Sequence, residues 1–312
     1  MTEPVLVEVE RSGLVESVHR GSLVITAPDG SVTHAVGDAS SPVFPRSSTK
    51  PLQGAGMLRA GLGYDGADLA LACGSHSGEP GHVERVAAML AAAGLDESAL
   101  TCPAAYPLNE TSLHAAAEPL RVTMNCSGKH AAMLATCVAA GWPTEGYEQP
   151  DHPLQKAIAE TVVDLTGEPI ATTGVDGCGA PLFAYSLTGL ARAFGRLVQA
   201  ETGSAELRVA DAMRAHPWLV AGTDREDTVL MGAVPGLLSK IGAEGVLAFA
   251  LADGTAVALK MSDGAKRGCA PLAVAVLAHL GADVADLDEL ARPPVLGGGR
   301  PVGHLRVSWS AP

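Results

Sequence analysis

Arg46-Ser47-Ser48-Thr49-Lys50-Pro51 sets a serine and a lysine three residues apart, where strand-like sequence gives way to helix-like sequence. On the first turn of a helix, residues three apart share a face, so the Ser47 hydroxyl and the Lys50 amine can meet. The helix N-terminus also favours negative charge developing nearby. A serine is a weak nucleophile until a base takes its proton, and a lysine serves as that base only if burial or a neighbouring cation lowers its pKa from about 10.4 toward neutrality. Taken alone, the same residues also describe an ordinary helix N-cap with a solvated lysine.

Other segments carry further candidates. Cys73-Gly74-Ser75-His76-Ser77-Gly78-Glu79 places hydroxyls and an imidazole between two helical patterns, either as a turn in which Ser77 opens the next helix or as a site where Ser75 relays a proton from Lys50. Ser239-Lys240-Ile241-Gly242 sets a lysine at a strand end, as a solvated edge charge or as a cation that lowers another lysine's pKa. Asn125-Cys126-Ser127-Gly128-Lys129-His130 precedes a helix and could cradle an anion. Asp176-Gly177-Cys178-Gly179 is a second tight loop. Of the six cysteines, Cys73, Cys102, Cys137 and Cys269 read as core thiols. Cys126 and Cys178 sit in polar Gly-rich loops where packing alone does not require a thiol. His82, His114, His152, His216 and His304 show no partner pattern and read as surface or capping residues.

The elements that must position these residues follow from periodicity. Val5 to Val9 alternates, and Ser22 to Ala27 and Ser31 to Val36 flank the turn Pro28-Asp29-Gly30, predicting strands. From Ser47 to about Met231 the strong patterns are helical: Gly81 to Ala93, Lys129 to Ala140, Pro153 to Thr166, Leu187 to Glu201 and Ala205 to Ala215. Gly94 and Gly141 read as C-terminal caps and Asp151 as an N-cap. Strands return over Leu237 to Ile241, Val246 to Leu251 and Ala256 to Met261, then a helix over Cys269 to Leu280, a Pro- and Gly-rich loop over Arg292 to Pro301, and an outer strand over Val302 to Trp309. This order predicts an α+β fold: one mainly antiparallel sheet built from both chain ends (1–45 and 235–312), with a mainly helical lobe (46–234) inserted and the site between them.

Composition bounds the function. With 47% apolar and 18% charged residues over 312 positions the chain can bury a large core, and 4% aromatic content offers few platforms for stacking bases or sugars. The 34 acidic residues against 21 basic ones give a net charge of -13, which repels nucleic acid and anionic membranes and leaves small or zwitterionic partners. Met1-Thr2-Glu3-Pro4 opens without a basic segment or a signal-like apolar run, so a cytoplasmic protein is expected.

Together the segments resemble the rhizobial-type L-asparaginases of the asparaginase II family, whose fold is similar to that of serine β-lactamases and penicillin-binding proteins. The resemblance runs from Val7-Glu8-Val9-Glu10-Arg11-Ser12-Gly13 through the Ser47, Ser75 and Cys126 segments to Pro150-Asp151-His152-Pro153, Gly174-Val175-Asp176-Gly177-Cys178 and His216-Pro217-Trp218-Leu219-Val220-Ala221-Gly222. It implies two Ser-Lys tandems, Ser47 with Lys50 and Ser75 with Lys240, and a zinc ion, about one per chain, held by Cys126, Lys129 and Cys178. It further implies that Asp176 holds the substrate ammonium, with Arg46 and His130 as nearby polar groups, and that the substrate is L-asparagine; a symmetric homodimer is the default expectation for the assembly. Two alternatives stand beside it: a β-lactam or peptide amidase on the same scaffold, and a non-catalytic amino-acid or metal-binding protein that keeps the cleft.

Overall fold

A strand buried on both faces of a sheet has no reason to alternate, and the strands nearest the site obey that rule. The computed structural model describes residues 3–310, so Met1 and Thr2 of the opening stretch lie outside it. Its strands are β1 (Val5–Arg11), β2 (Leu14–Thr26), β3 (Val32–Val36), β4 (Pro42–Val43), β5 (Thr172–Val175), β6 (Pro181–Ser186), β7 (Leu238–Ile241), β8 (Val246–Ala250), β9 (Ala256–Met261), β10 (Pro294–Gly297) and β11 (Arg300–Val307). Every residue of β7 and β8 is buried.

The large sheet runs β10-β11-β1-β2-β9-β8-β7, with β3 also on β2, and all its pairings are antiparallel. It is built from both chain ends, as expected. Its two faces carry separate apolar clusters. Val24, Leu238, Val246, Ala248 and Ala258 meet the central helices, whereas Leu23, Ile241, Leu247, Phe249 and Leu259 meet the helix Cys269–His279. The helix Leu187–Gln199 lies directly on β2, β8 and β9. The fold is thus α+β with the sheet covered on both sides.

Several local expectations are corrected. Arg292 to Pro301 is not a loop: β10 and the start of β11 form a hairpin across Gly298 and Gly299, both at positive φ, and its prolines and glycines made that stretch look structureless. β5 and β6, inside the segment expected to be helical, form with β4 a second, three-stranded sheet. The N-cap of the helix Pro153–Thr166 is His152, whose ring accepts from the Leu154 amide, and not Asp151. Ser77 does not open the helix Pro80–Ala92, because Glu79 occupies that position. No helix among the described residues is long and apolar enough to cross a membrane.

Lys50 begins a helix, Lys50–Arg59, that is buried over nearly its whole length and packs on Pro153–Thr166 and Ala205–Ala215. A 3-10 turn, Arg46–Thr49, precedes it, and the end of β7 presses against that turn. The Ser48 hydroxyl donates to the Lys240 carbonyl at 2.9 Å. Gly242 makes the approach feasible, since a Cβ there would stand 2.5 Å from the Pro45 carbonyl oxygen. Gly242→Ala is therefore expected to destabilise the protein by about 1–3 kcal/mol through overpacking, read as a lower urea midpoint at unchanged slope. An unchanged midpoint would mean that the turn yields freely.

Candidate active site

The helix start buries Lys50 to 1% exposure while leaving Ser47 half-buried. The Lys50 amine donates to the Gly74 carbonyl and, at 3.0 Å, to the Ser75 hydroxyl. Ser47 is not hydrogen-bonded to Lys50 through its side chain; its carbonyl accepts the Lys50 amide, the bond that closes the 3-10 turn. Arg46, just before it, stands at φ +54, a left-handed conformation uncommon for a side chain of this size. Ser75 is fixed by its own backbone, its amide donating to the Val220 carbonyl, and Gly74 leaves no room for a Cβ against the Leu219 and Val220 carbonyls.

Lys240 is brought near but not to Ser75. Its ammonium donates to the Asp227 carboxylate at 2.9 Å and to the Ile241 carbonyl at 2.8 Å. Both charged groups are wholly buried. Burial pulls the Lys240 pKa down, Asp227 pulls it up and the nearby Lys50 charge adds to the fall, with a net lowering. Burial would raise the Asp227 carboxyl, yet Lys240 and the bonds from Ile241 and Ser239 hold it below the usual carboxylate range. Asp227 was not legible as a site residue, since nothing in Arg225-Glu226-Asp227-Thr228 separates it from a first-turn acid.

On the helix Ser127–Ala140 and the loop after β5, a second cluster forms. The Lys129 amine lies 3.1 Å from the Cys178 sulfur, and Cys126 and Cys178 share a hydrogen bond that drives the first thiol's pKa up and the second's far down. Burial would lower the Lys129 pKa, but Cys178, Cys126 and Asp176 together raise it. His130 is wholly buried, with Nδ1 2.7 Å from the Tyr147 hydroxyl and Nε2 without a partner. Burial pushes its imidazole toward the neutral form. Soft sulfur and nitrogen donors suit zinc, and an orphaned imidazole nitrogen beside them fits a site that takes a further polar group. Among the described residues no three His, Cys, Asp or Glu side chains gather, so the third donor would be the Lys129 amine.

Arg46 Nε donates to Asp176 Oδ1 at 2.8 Å, and Glu244 stands 3.6 Å from the same guanidinium. The Arg46 strain thus serves to turn its side chain onto Asp176, which also accepts from the Gly177 amide. His82 is not a surface residue. It is buried and stacked between His76 and Trp218, its Nε2 on the Trp218 carbonyl, because Trp218 closes over the Ser75 loop. Burial first, then the neighbouring His82, drives the His76 pKa well below its ordinary value. His76 Nδ1 accepts from the Gly78 amide, which leaves Nε2 as the protonated nitrogen facing Ser127 at 2.9 Å.

No curated protein matches the sequence. Among solved structures, a β-lactamase from Mycobacterium bovis superposes with a TM-score of 0.48 at 16% identity, over 83% of this chain and 94% of its own. Mglu in its native form gives 0.47 at 16% identity, over 92% of this chain and 71% of that one. Mglu in its glutamate form gives 0.49 at 15% identity, over 89% and 65%. The pattern of one family, described as L-asparaginase II, matches residues 7–307, a span that holds the Ser47 turn, the Ser75 loop, both cysteine loops and β7. By that match the chain belongs to the L-asparaginase II family.

Proposed function

We propose that the protein hydrolyses the side-chain amide of L-asparagine to aspartate and ammonia. Family membership supports hydrolysis of a small amide. The observation that carries the mechanism is the buried Lys50–Ser75 hydrogen bond one helical turn from the half-buried Ser47. In this reading the Ser47 oxygen attacks the amide carbon, the Lys50 amine takes its proton, and Ser75 passes that proton to the departing nitrogen. Water then cleaves the ester. Asp176, with one oxygen on Arg46, keeps its other for the substrate ammonium. The direct Lys50–Ser75 contact also favours a second reading in which Ser75 is the nucleophile.

The two readings separate by mutation. Ser47→Ala is expected to lower kcat roughly a thousandfold, about 4 kcal/mol of barrier, with the fold intact. Near-normal turnover in Ser47→Ala with a dead Ser75→Ala exchanges the two serines.

Ammonia release should be faster from asparagine than from glutamine, by an amount one methylene can supply, about 1–3 kcal/mol. A higher kcat/KM for glutamine overturns the substrate. Faster hydrolysis of a chromogenic cephalosporin would move the protein to β-lactams, and tight asparagine binding without ammonia would make it a binding protein.

Cys126, Lys129 and Cys178 are proposed to hold about one zinc per chain, a Lewis acid that would orient a bound amino acid. Metal analysis of the purified protein is expected to find it, and Cys178→Ser to lose it and raise KM more than it lowers kcat. Metal-free wild-type protein with full asparagine affinity removes the metal from the account. The cytoplasmic homodimer stays part of the proposal, with sedimentation as its check.

A further inference from the structure

Asp227 stands wholly buried on the first turn of the helix Glu226–Ala233 and has no part in the chemistry proposed above. Its Oδ1 accepts from the Ser239 hydroxyl at 3.0 Å and from the Ile241 amide at 2.8 Å, and its Oδ2 from the Lys240 ammonium at 2.9 Å. Three donors surround it, so the carboxyl needs no proton of its own and is an anion. A buried anion beside a neutral amine would be an uncompensated charge, the arrangement that protein interiors tolerate least. Lys240 therefore keeps its proton, and spends two of its three N–H bonds on Asp227 and the Ile241 carbonyl.

We propose that Asp227 is a positioning residue that locks Lys240 as a fixed ammonium, so that Lys240 acts on the Ser47–Lys50–Ser75 group as a stationary positive charge and not as a second general base. The role in the reaction rests on the reading of Lys50 as the base. A fixed cation favours a neutral base nearby and the negative charge that develops on the amide oxygen during attack. The other ionisable groups facing the two lysines are few. Arg225, one residue before the same helix, is a second permanent cation. Cys73 faces both lysines from the end of the helix Gly66–Ala72, its thiol pushed up to about 12 by burial. His76, Cys126 and His130 face Lys50 from the neighbouring loops, all held in their uncharged forms by their surroundings.

The test joins 15N NMR of protein labelled at its lysine side chains, with Lys240→Met to assign the resonance, to pH profiles of kcat/KM. The expected result is an ammonium resonance for Lys240 from neutral into weakly alkaline pH. Asp227→Asn should move the acid limb of the profile to higher pH, because a Lys240 that sheds its proton no longer repels the proton on the base. Lys240→Arg, which keeps the charge, should retain about tenfold or more of the kcat lost in Lys240→Met. A neutral-amine resonance at neutral pH overturns the proposal, as does an acid limb that moves to lower pH in Asp227→Asn, the direction expected if Lys240 were itself the base. Equal losses in Lys240→Arg and Lys240→Met also count against it. If Asp227→Asn does not fold, the wild-type spectrum and Lys240→Arg decide. If no amide is hydrolysed at all, the proposed function fails, while the spectrum still decides whether Asp227 keeps Lys240 charged.

Discussion

Three lysine side chains, Lys50, Lys129 and Lys240, are withdrawn from water in one region of the fold, each at 2% exposure or less. An ammonium ion leaves water only if something replaces its hydration, and the surrounding structure is arranged to do so. The replacements differ in kind: a carbonyl and a hydroxyl for Lys50, a cysteine sulfur for Lys129, a carboxylate for Lys240. Those partners grade the three amines. Lys50 faces only neutral oxygen atoms, whereas Lys129 faces a cysteine sulfur and Lys240 a carboxylate.

Position follows from the same region. The Ser47 turn cannot be placed without β7, because the Ser48 hydroxyl is tied to the Lys240 carbonyl and Gly242 lies against Pro45. β7 in turn ends the sheet, and Asp227 occupies the Ile241 amide that an outer strand would otherwise have used. The carboxylate therefore closes a sheet edge as well as pairing a charge, which explains why it sits at full burial on a short helix.

Much of this was legible in the sequence, and what was not has definite causes. Periodicity found most of the strands at both ends, and the helices Pro153–Thr166 and Ala205–Ala215 to the residue, because each presents an apolar stripe to a neighbour. It missed β5 and β6, whose Gly174, Pro181 and fully buried run carry no alternation. The Ser-x-x-Lys spacing picked out Ser47 and Lys50, and residue type picked out Ser75, Cys126, Cys178 and Lys240, since hydroxyls, thiols and lysines in glycine-bearing segments lack a packing role. Partnership was only partly visible: a Lys50–Ser75 meeting stood as one reading of the Ser75 segment, whereas Asp227 carried no signal at all. That Lys240 meets Asp227 depends on how a helix end folds against β7, and no local spacing encodes it. His82 failed for a similar reason: its stacking partner Trp218 is 136 residues away along the chain.

The sheet's pairing has a consequence for how the molecule forms. β1 pairs with β11, Val7 opposite Val307, and β2 with β9, Gly21 opposite Met261. Each ladder closes a loop of most of the chain, and the entropy of closure is lost before the ladder returns anything. The helices and the β8–β9 hairpin involve only neighbours and can form while the ends are still apart. Ser48 and Lys240 are 192 residues apart, so their bond belongs to the late, nonlocal stage. A chain whose helices have formed but whose outer strands are unpaired holds every residue of the site and none of its geometry.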